Sequence, residues 1–105
     1  MPAMAIHLIA RRQLNVHPVP GTEGEWESGD WVVAAETAER LVGHSIYLHE
    51  TRAAASYFGG KILSFRVVED GDAAGRTVFR FRFDAAHRGV TTSRGGWAQE
   101  MKITE

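Results

Sequence analysis

The sequence predicts a small, mainly β domain of the α+β class, and three observations lead to this class. First, 105 residues suffice for a single domain, residues 1–105, with one hydrophobic core. Second, 44% hydrophobic and 24% charged residues are close to the averages of globular domains. Third, short alternating segments recur along the chain, whereas only one segment has helical spacing. Because five or six short strands would leave open edges, we expect the sheet to close into a barrel.

The first part of the chain is expected to contain a strand, a long loop and the helix. AIHLIA, residues 5–10, is short and apolar and predicts the first strand. Residues 15–30 combine two prolines, three glycines and four acids, which favours a long exposed loop. After a short strand end at residues 31–33, residues 36–41 are predicted to form two helical turns, and Gly43 is placed to end them.

The second part of the chain contains only strand signals, separated by polar turns. SIYLHE and KILSFRVVED, residues 45–50 and 61–70, alternate between apolar and polar positions. GDAAG, residues 71–75, predicts a hairpin turn before RTVFRFRFD at 76–84, and GWAQEMKIT at 96–104 predicts the last strand. The aromatic residues expected to face the core are Phe65, Phe79, Phe81, Phe83 and Trp97.

Composition excludes several classes of function. The chain has no cysteine, which excludes disulfides, thiolate zinc sites and cysteine nucleophiles. MAIHLIARR at residues 4–12 lacks the long apolar run of a signal peptide, so we expect a cytoplasmic protein without a membrane span. The net charge of −1 is not that of a dedicated duplex-DNA binder, although five arginines and one acid between residues 76 and 94 favour a local basic patch.

The segment YLHETRAAASYFGGKI, residues 47–62, is the first candidate site. Gly59 and Gly60 remove side chains where the chain enters a strand, and Lys61 follows directly. With Arg52 and Ser56 in the same loop, backbone donors and two cations could converge on an anion or a base edge. A plain glycine-rich turn explains the glycines equally well.

Aromatic and imidazole side chains flank this segment. Trp31 and Tyr57 lie in or beside predicted turns, where exposed rings can stack on bases, although tryptophans can also seal the ends of a barrel. His49 ends a predicted strand beside Glu50, so a carboxylate could tune its imidazole, with a solvated strand-end histidine as the alternative. The five histidines show no HxH or HExxH spacing, and we predict neither a metal site nor a cofactor.

A second candidate site is the pair Arg80 and Arg82 in the strand FRFRF. Residues two apart share a face, so the two guanidinium groups could hold successive phosphates. The alternative is that they form cross-strand ion pairs with acids on neighbouring strands.

The order of these elements resembles that of the PUA-like superfamily of small barrels, which includes the EVE and ASCH groups. The resemblance covers roughly residues 29–84 and rests on GDWVV, the helix AETAERLVG, the strand IYLHE, the element SYFGGKILSFRVVED and the strand RTVFRFRF. It implies a five- or six-stranded pseudobarrel that binds nucleic acid, often RNA or a modified base, in a cleft beside the helix. It also implies that some members act as nucleases or as amidohydrolases on modified nucleosides.

From the residues and the resemblance together we expect a binding module for nucleic acid or a nucleotide-like ligand. An ASCH-type hydrolase is the first alternative and requires Lys61 buried beside a carboxylate and a hydroxyl. An accessory subunit for protein interaction is the second and requires an exposed apolar patch of several hundred Å². The expected ligand-binding residues are Trp31, Tyr47, His49, Arg52, Ser56, Tyr57 and Lys61, and the expected phosphate patch is Arg80 and Arg82.

Overall fold

Strands make up most of the regular structure. The computed structural model describes residues 4–13 and 15–105. Within them one helix, α1, spans Ala35–Leu41, and short 3₁₀ turns span Arg11–Gln13 and Ala85–His87. The strands are β1 (Ala5–Ile9), β2 (Val16–Pro18), β3 (Glu25–Trp31), β4 (Ser45–His49), β5 (Phe58–Val67), β6 (Thr77–Phe83) and β7 (Met101–Thr104).

All seven strands belong to one mixed sheet with the order β2-β3-β6-β5-β4-β1-β7. Strands β1 and β4 are parallel, with Ile6 opposite Ile46, and the other neighbouring pairs are antiparallel. The expectation of a closed barrel with five or six strands is therefore wrong, because β2 and β7 are open edges of this described sheet. Pro18 in β2 has no N–H to donate, which suits an edge strand.

The sheet nevertheless curls around a single core. Val16 of β2, Trp31 of β3 and Leu8 of β1 belong to one cluster of buried side chains, although β2 and β1 lie far apart in the strand order. The molecule measures 35 × 32 × 29 Å along its principal axes. Three nearly equal dimensions fit a strongly curved sheet, because a flat sheet would be much thinner in one direction. Curvature thus buries the inner face even though the edges do not pair.

Alternating apolar residues fill this inner face, as the sequence predicts. The fully buried side chains include Ile6, Leu8, Ile46, Leu48, Ile62, Phe79 and Phe81. Helix α1 packs on the same core through Ala38 and Leu41, and full burial of a side chain of leucine size is worth about 1.5 to 3 kcal/mol. Phe83, also expected inside, is half-buried and stacks on Phe58 with 4.7 Å between ring centroids.

The expected long loop at residues 15–30 is instead the hairpin of β2 and β3. Within β3, Ser28 is buried while Glu25 and Glu27 lie opposite Arg82 and Arg80 of β6. The acids are thus the outward half of an alternating strand, in which Glu25 pairs with Arg80 and Arg82 of β6 and Glu27 pairs with Arg66 of β5. Glycine and acid content masked this alternation.

Only half of the outer face of the sheet is covered by other segments. The half formed by β3, β5 and β6 is exposed and carries charged residues. The half formed by β1 and β4 is covered by the 3₁₀ turn Ala85–His87 and the residues after it. Trp97, expected in the inner core, packs on this covered outer half against His7. It does so because the chain reverses at Gln99, whose φ is 56°, so the predicted alternation across residues 96–104 is interrupted.

Helix α1 confirms the predicted helix within one residue. Gly43 follows it with φ of 88°, the left-handed conformation that glycine adopts at little cost. Within the described residues, we find no helix with the length and apolar character needed to cross a bilayer.

We expect Gly60→Ala to destabilise the fold strongly. A Cβ atom at Gly60 would collide with the backbone oxygen of Arg82 on the neighbouring strand. Such overpacking costs about 1 to 3 kcal/mol or more in free energy of unfolding, measurable by urea denaturation. Gly95→Ala is the matched control, because a Cβ atom added at Gly95 would have no heavy atom within 4 Å. Equal stabilities of the two variants would contradict the close strand approach.

Candidate functional site

The parallel pairing of β1 and β4 brings the carboxyl ends of both strands to the same end of the sheet. Arg11 follows β1 there, and Thr51 to Ala53 follow β4. Strand β7 is antiparallel to β1, so the residues just before β7 lie at the same end. A cavity of about 560 Å³ opens at this end of the two strands. Its lining residues are Ile9, Arg11, Thr51, Arg52, Ala53, Gln99 and Glu100.

A second cavity, of about 450 Å³, adjoins the first. It is lined by Arg52, Ala53, Thr92 and Arg94, so the two cavities share Arg52 and Ala53. We call the combined concavity, with Arg11, Arg52 and Arg94, the arginine groove. Its two halves come from the ends of β1 and β4 and from the loop after the turn at residues 85–87.

The arginine groove carries more positive than negative charge. Arg11 pairs with Glu100 at 3.0 Å, and both side chains are more than half exposed. Arg52 donates a hydrogen bond to the Gln99 carbonyl oxygen, and its guanidinium carbon lies 5.9 Å from the centre of the Trp97 ring. Neither Arg52 nor Arg94 has a carboxylate within 4 Å among the residues the structure describes. Two guanidinium groups therefore remain available to an anionic ligand.

A layer of aromatic and imidazole rings lies on the outer face of β1 and β4. The rings of His7 and Tyr47 stack at 4.8 Å, and those of Tyr47 and His87 stack at 4.8 Å. The rings of His49 and Trp97 meet edge to face at 5.8 Å, which places the layer directly beside Arg52. We call this set the histidine layer, and its members are His7, Tyr47, His49, His87 and Trp97.

His7 and His49 form a buried hydrogen-bonded pair, with 2.9 Å between His7 Nδ1 and His49 Nε2. His49 Nδ1 lies 2.9 Å from the Ala54 carbonyl oxygen, which can only accept, so this nitrogen carries the proton. His49 Nε2 is then the acceptor, and His7 Nδ1–H is the donor to it. Both ring nitrogens of His49 and the Nδ1 atom of His7 are thus hydrogen-bonded with the two imidazoles in their neutral forms.

Burial keeps this pair uncharged near neutral pH. The pKa of His7 is lowered from 6.5 to about 4, first by desolvation and then by charge repulsion from the neighbouring His49 and Lys102. Burial also lowers the pKa of His49, although its hydrogen bond to Ala54 opposes the shift. Lys102 is itself held away from solvent by hydrogen bonds from Nζ to the Ser93 carbonyl and hydroxyl oxygens, at 2.8 and 2.9 Å.

The structure brings three of the predicted ligand-binding residues together. Arg52 lines the arginine groove, and Tyr47 and His49 lie in the histidine layer beside it. His49 has no exposed surface, so the alternative of a solvated strand-end histidine is wrong. Its role toward a ligand would be to support Arg52 and Trp97 from below.

Three other predicted ligand-binding residues make structural hydrogen bonds within the protein. Trp31 is buried in the core, donates to Ser28 Oγ at 3.1 Å and borders a third cavity, of about 530 Å³, which shares Gln99 and Glu100 with the first one. The Ser56 hydroxyl donates to the His87 carbonyl oxygen and accepts from the Val90 N–H at 3.0 Å. Tyr57 donates to the Ala10 carbonyl oxygen, and burial, then the charge of Glu50, raises its pKa to about 12.

The two glycines and the lysine singled out after Tyr57 lie outside the groove. Gly59 and Gly60 allow close contact with backbone oxygens of neighbouring strands, as a tightly packed strand requires. Lys61 is exposed on the outer face, opposite Ser45 at the start of β4, whereas the groove lies at the end of β4. A hydrolase built on a buried Lys61 therefore has no support.

The predicted phosphate patch is occupied by an acid of the neighbouring strand. Arg80 pairs with Glu25 at 2.7 Å and Arg82 pairs with the same carboxylate at 3.3 Å. The alternative of cross-strand ion pairs is thus the observed arrangement.

Sequence reasoning missed Arg11, Arg94, His7 and His87 as members of this region. Arg11 directly follows the first strand, and recognising that β1 and β4 are parallel would have placed it beside Arg52. The sequence predicts a loop around His87, and no spacing links this residue to β4. Within the described ranges, no three or more histidine, aspartate or glutamate side chains gather where they could hold a metal ion.

We expect the free energy of unfolding to fall as the pH is lowered from 6.5 to 4. The unfolded chain protonates His7 near pH 6.5, whereas the folded protein resists protonation until about pH 4. Stability from this residue is full above pH 6.5 and decreases by about 3 kcal/mol through this window. Urea denaturation at several pH values measures the slope.

His7→Gln should reduce that slope by up to one proton, while retaining a donor toward His49. His17→Gln is the control, since His17 is exposed on β2. An unchanged slope in His7→Gln would show that this residue does not govern the pH dependence.

Comparisons with known proteins give no assignment. No family model matches the chain, and neither a curated protein nor a solved structure matches it. The resemblance to PUA-like barrels therefore stays an expectation drawn from element order, and function has to be argued from the groove itself.

Proposed function

We propose that this protein is a binding module for single-stranded nucleic acid or a nucleotide-like ligand, which it holds in the arginine groove. The observation that carries the proposal is the meeting of two cavities at Arg52, where Arg52 and Arg94 have no acidic partner among the described residues. Guanidinium groups bind phosphate oxygens with paired hydrogen bonds, which makes a phosphodiester or nucleotide phosphate a matching ligand.

The rings beside the groove supply a second element of such recognition. Trp97 and Arg52 lie over each other, and a guanidinium plane supported by an aromatic ring offers its other face to a base. Thr51, Thr92 and Gln99 add uncharged polar groups along the same lining. Arg52 and Arg94 would bind phosphates through their N–H groups, and the free face of the Arg52 guanidinium group would hold a base.

The two alternatives have weaker support. The ASCH-type hydrolase required a buried Lys61, and this residue is exposed. The accessory subunit required an exposed apolar patch of several hundred Å², whereas the large exposed hydrophobic residues in the described part of the chain are three valines, Val32, Val42 and Val67. The proposal includes RNA as the partner and the cytoplasm as the location.

We expect labelled single-stranded RNA to bind with an affinity that falls linearly in log salt. Fluorescence anisotropy across salt concentrations measures this, with single-stranded DNA and a nucleotide competitor in parallel. For single strands each phosphate contact contributes about 0.7 to the slope, so Arg52→Ala and Arg94→Ala should each reduce the slope by about that amount.

Arg40→Ala is the matched control, because Arg40 is exposed on α1 and pairs with Glu105, away from the groove. Arg82→Ala serves as a second comparison, since it tests the paired arginines of β6. Absence of binding at low salt would overturn the proposal. Equal losses in Arg40→Ala and Arg52→Ala would remove the groove as the binding surface.

A further inference from the structure

A serine, a histidine and an aspartate meet on the outer face of the sheet, at the opposite end of β4 from the arginine groove. His87 Nε2 lies 2.9 Å from Ser45 Oγ, and His87 Nδ1 lies 3.8 Å from Asp84 Oδ2. The two nitrogens of one imidazole thus face a hydroxyl and a carboxylate. This is the order of groups in a nucleophile, base and acid arrangement.

The electrostatics select one tautomer of His87. The Nδ1 atom is buried, has no hydrogen-bond partner among the described residues, and has Asp84 as its nearest carboxylate. A proton on Nδ1 is attracted by this carboxylate, whereas a lone pair there would be repelled. Nε2 is then unprotonated and accepts a hydrogen bond from the Ser45 hydroxyl group, as a general base requires.

Packing holds all three groups in place. Asp84 Oδ1 accepts from the Ala86 N–H at 2.9 Å, so the carboxylate caps the 3₁₀ turn and its second oxygen points toward His87. Tyr47 stacks on the imidazole, and a Cβ atom at Gly59 would lie 3.1 Å from His87 Cβ. Glycine at position 59 therefore lets His87 approach the sheet closely enough to reach Ser45.

A cation is available beside the hydroxyl. Lys61 lies directly opposite Ser45 on β5, so both side chains project from the same face with about 5 Å between their Cβ atoms. Its ammonium group is exposed and can approach an oxygen that develops negative charge next to Ser45.

We propose that Ser45, His87 and Asp84 form a nucleophilic triad that cleaves carboxylic esters. Ser45 Oγ forms a bond to the ester carbonyl carbon while its proton passes to His87 Nε2. The tetrahedral intermediate, with its oxyanion next to Lys61, expels the alcohol, which takes that proton. Water then adds to the acyl-serine by the same route and releases the carboxylic acid, so ester and water give acid and alcohol. This activity is independent of ligand binding in the arginine groove.

The test is covalent labelling with a fluorophosphonate, which transfers its phosphonyl group to an activated serine and releases fluoride. Intact-mass and peptide mass spectrometry should place one adduct on Ser45 in the wild-type protein. Ser45→Ala should abolish it, and His87→Gln should slow it about 100-fold, in the range of a lost general base. Hydrolysis of p-nitrophenyl acetate should fall in parallel.

Asp84→Asn separates positioning from charge, because its amide oxygen can still cap the Ala86 N–H while the carboxylate charge is lost. We expect this variant to fold like the wild type and to label at least tenfold more slowly. Ser64→Ala is the matched control, since Ser64 is an exposed serine of β5 opposite Arg80, and it should label normally. Circular dichroism establishes that each variant is folded.

Two outcomes would overturn the triad. One is the absence of an adduct on Ser45 in folded wild-type protein at millimolar reagent. The other is equal labelling of wild type, His87→Gln and Asp84→Asn, which would leave His87 only the role of holding the 3₁₀ turn on the sheet.

Discussion

The parallel pairing of β1 with β4 is the constraint on which the rest of this structure depends. It connects residues about 40 positions apart and sets His7 opposite Tyr47, two residues before His49 on the same face. The same pairing places Arg11 and Arg52 at the same end of the sheet, after the carboxyl ends of β1 and β4. A shift of one residue would turn His7 to the inner face and Ile6 to the outer face, because successive side chains alternate. Core, histidine layer and groove therefore follow from a single register.

A second constraint is the missing side chain at Gly59. Strand β5 lies against β4 there, and the turn at residues 85–87 packs on the uncovered backbone. A Cβ atom at position 59 would collide with the Ile46 backbone oxygen of β4 and would lie 3.1 Å from His87 Cβ, so the strand pairing and the seat of the turn both depend on this glycine. The glycine pair thus matters for packing between layers and not as a cradle of backbone donors.

The sequence was sufficient for elements whose burial alternates with period two or follows helical spacing. Strand β6 and helix α1 were predicted nearly to the residue, since Phe79 and Phe81 alternate with arginines and Gly43 ends the helix. The hairpin of β2 and β3 was missed because turn-forming glycines and acids outweighed the alternation in EWES. Barrel closure was wrong because strand number alone does not fix the pairing of edges.

The candidate site was predictable only in part, since its members come from distant segments. Arg52, Tyr47 and His49 lie within one predicted strand and loop, and local reasoning found them. Arg94 and His87 reach the same face of the sheet through a loop of irregular structure, for which no periodicity exists. Arg80 and Arg82 have the spacing of a phosphate patch, but both pair with Glu25. Glu25 belongs to a strand where the sequence predicts a loop, so this pairing could not be predicted.

The polar character of the histidine layer is itself an argument about function. Apolar side chains at positions 7 and 49 would fill the same space without any cost of desolvation, whereas a buried imidazole pair needs hydrogen bonds to offset that cost. Here the Ala54 carbonyl oxygen fixes His49, and His49 fixes His7. Ala54 belongs to the segment that carries Arg52, so the imidazole pair anchors the loop from which the groove is built. The imidazole pair thus costs some stability, and in return it fixes the position of Arg52.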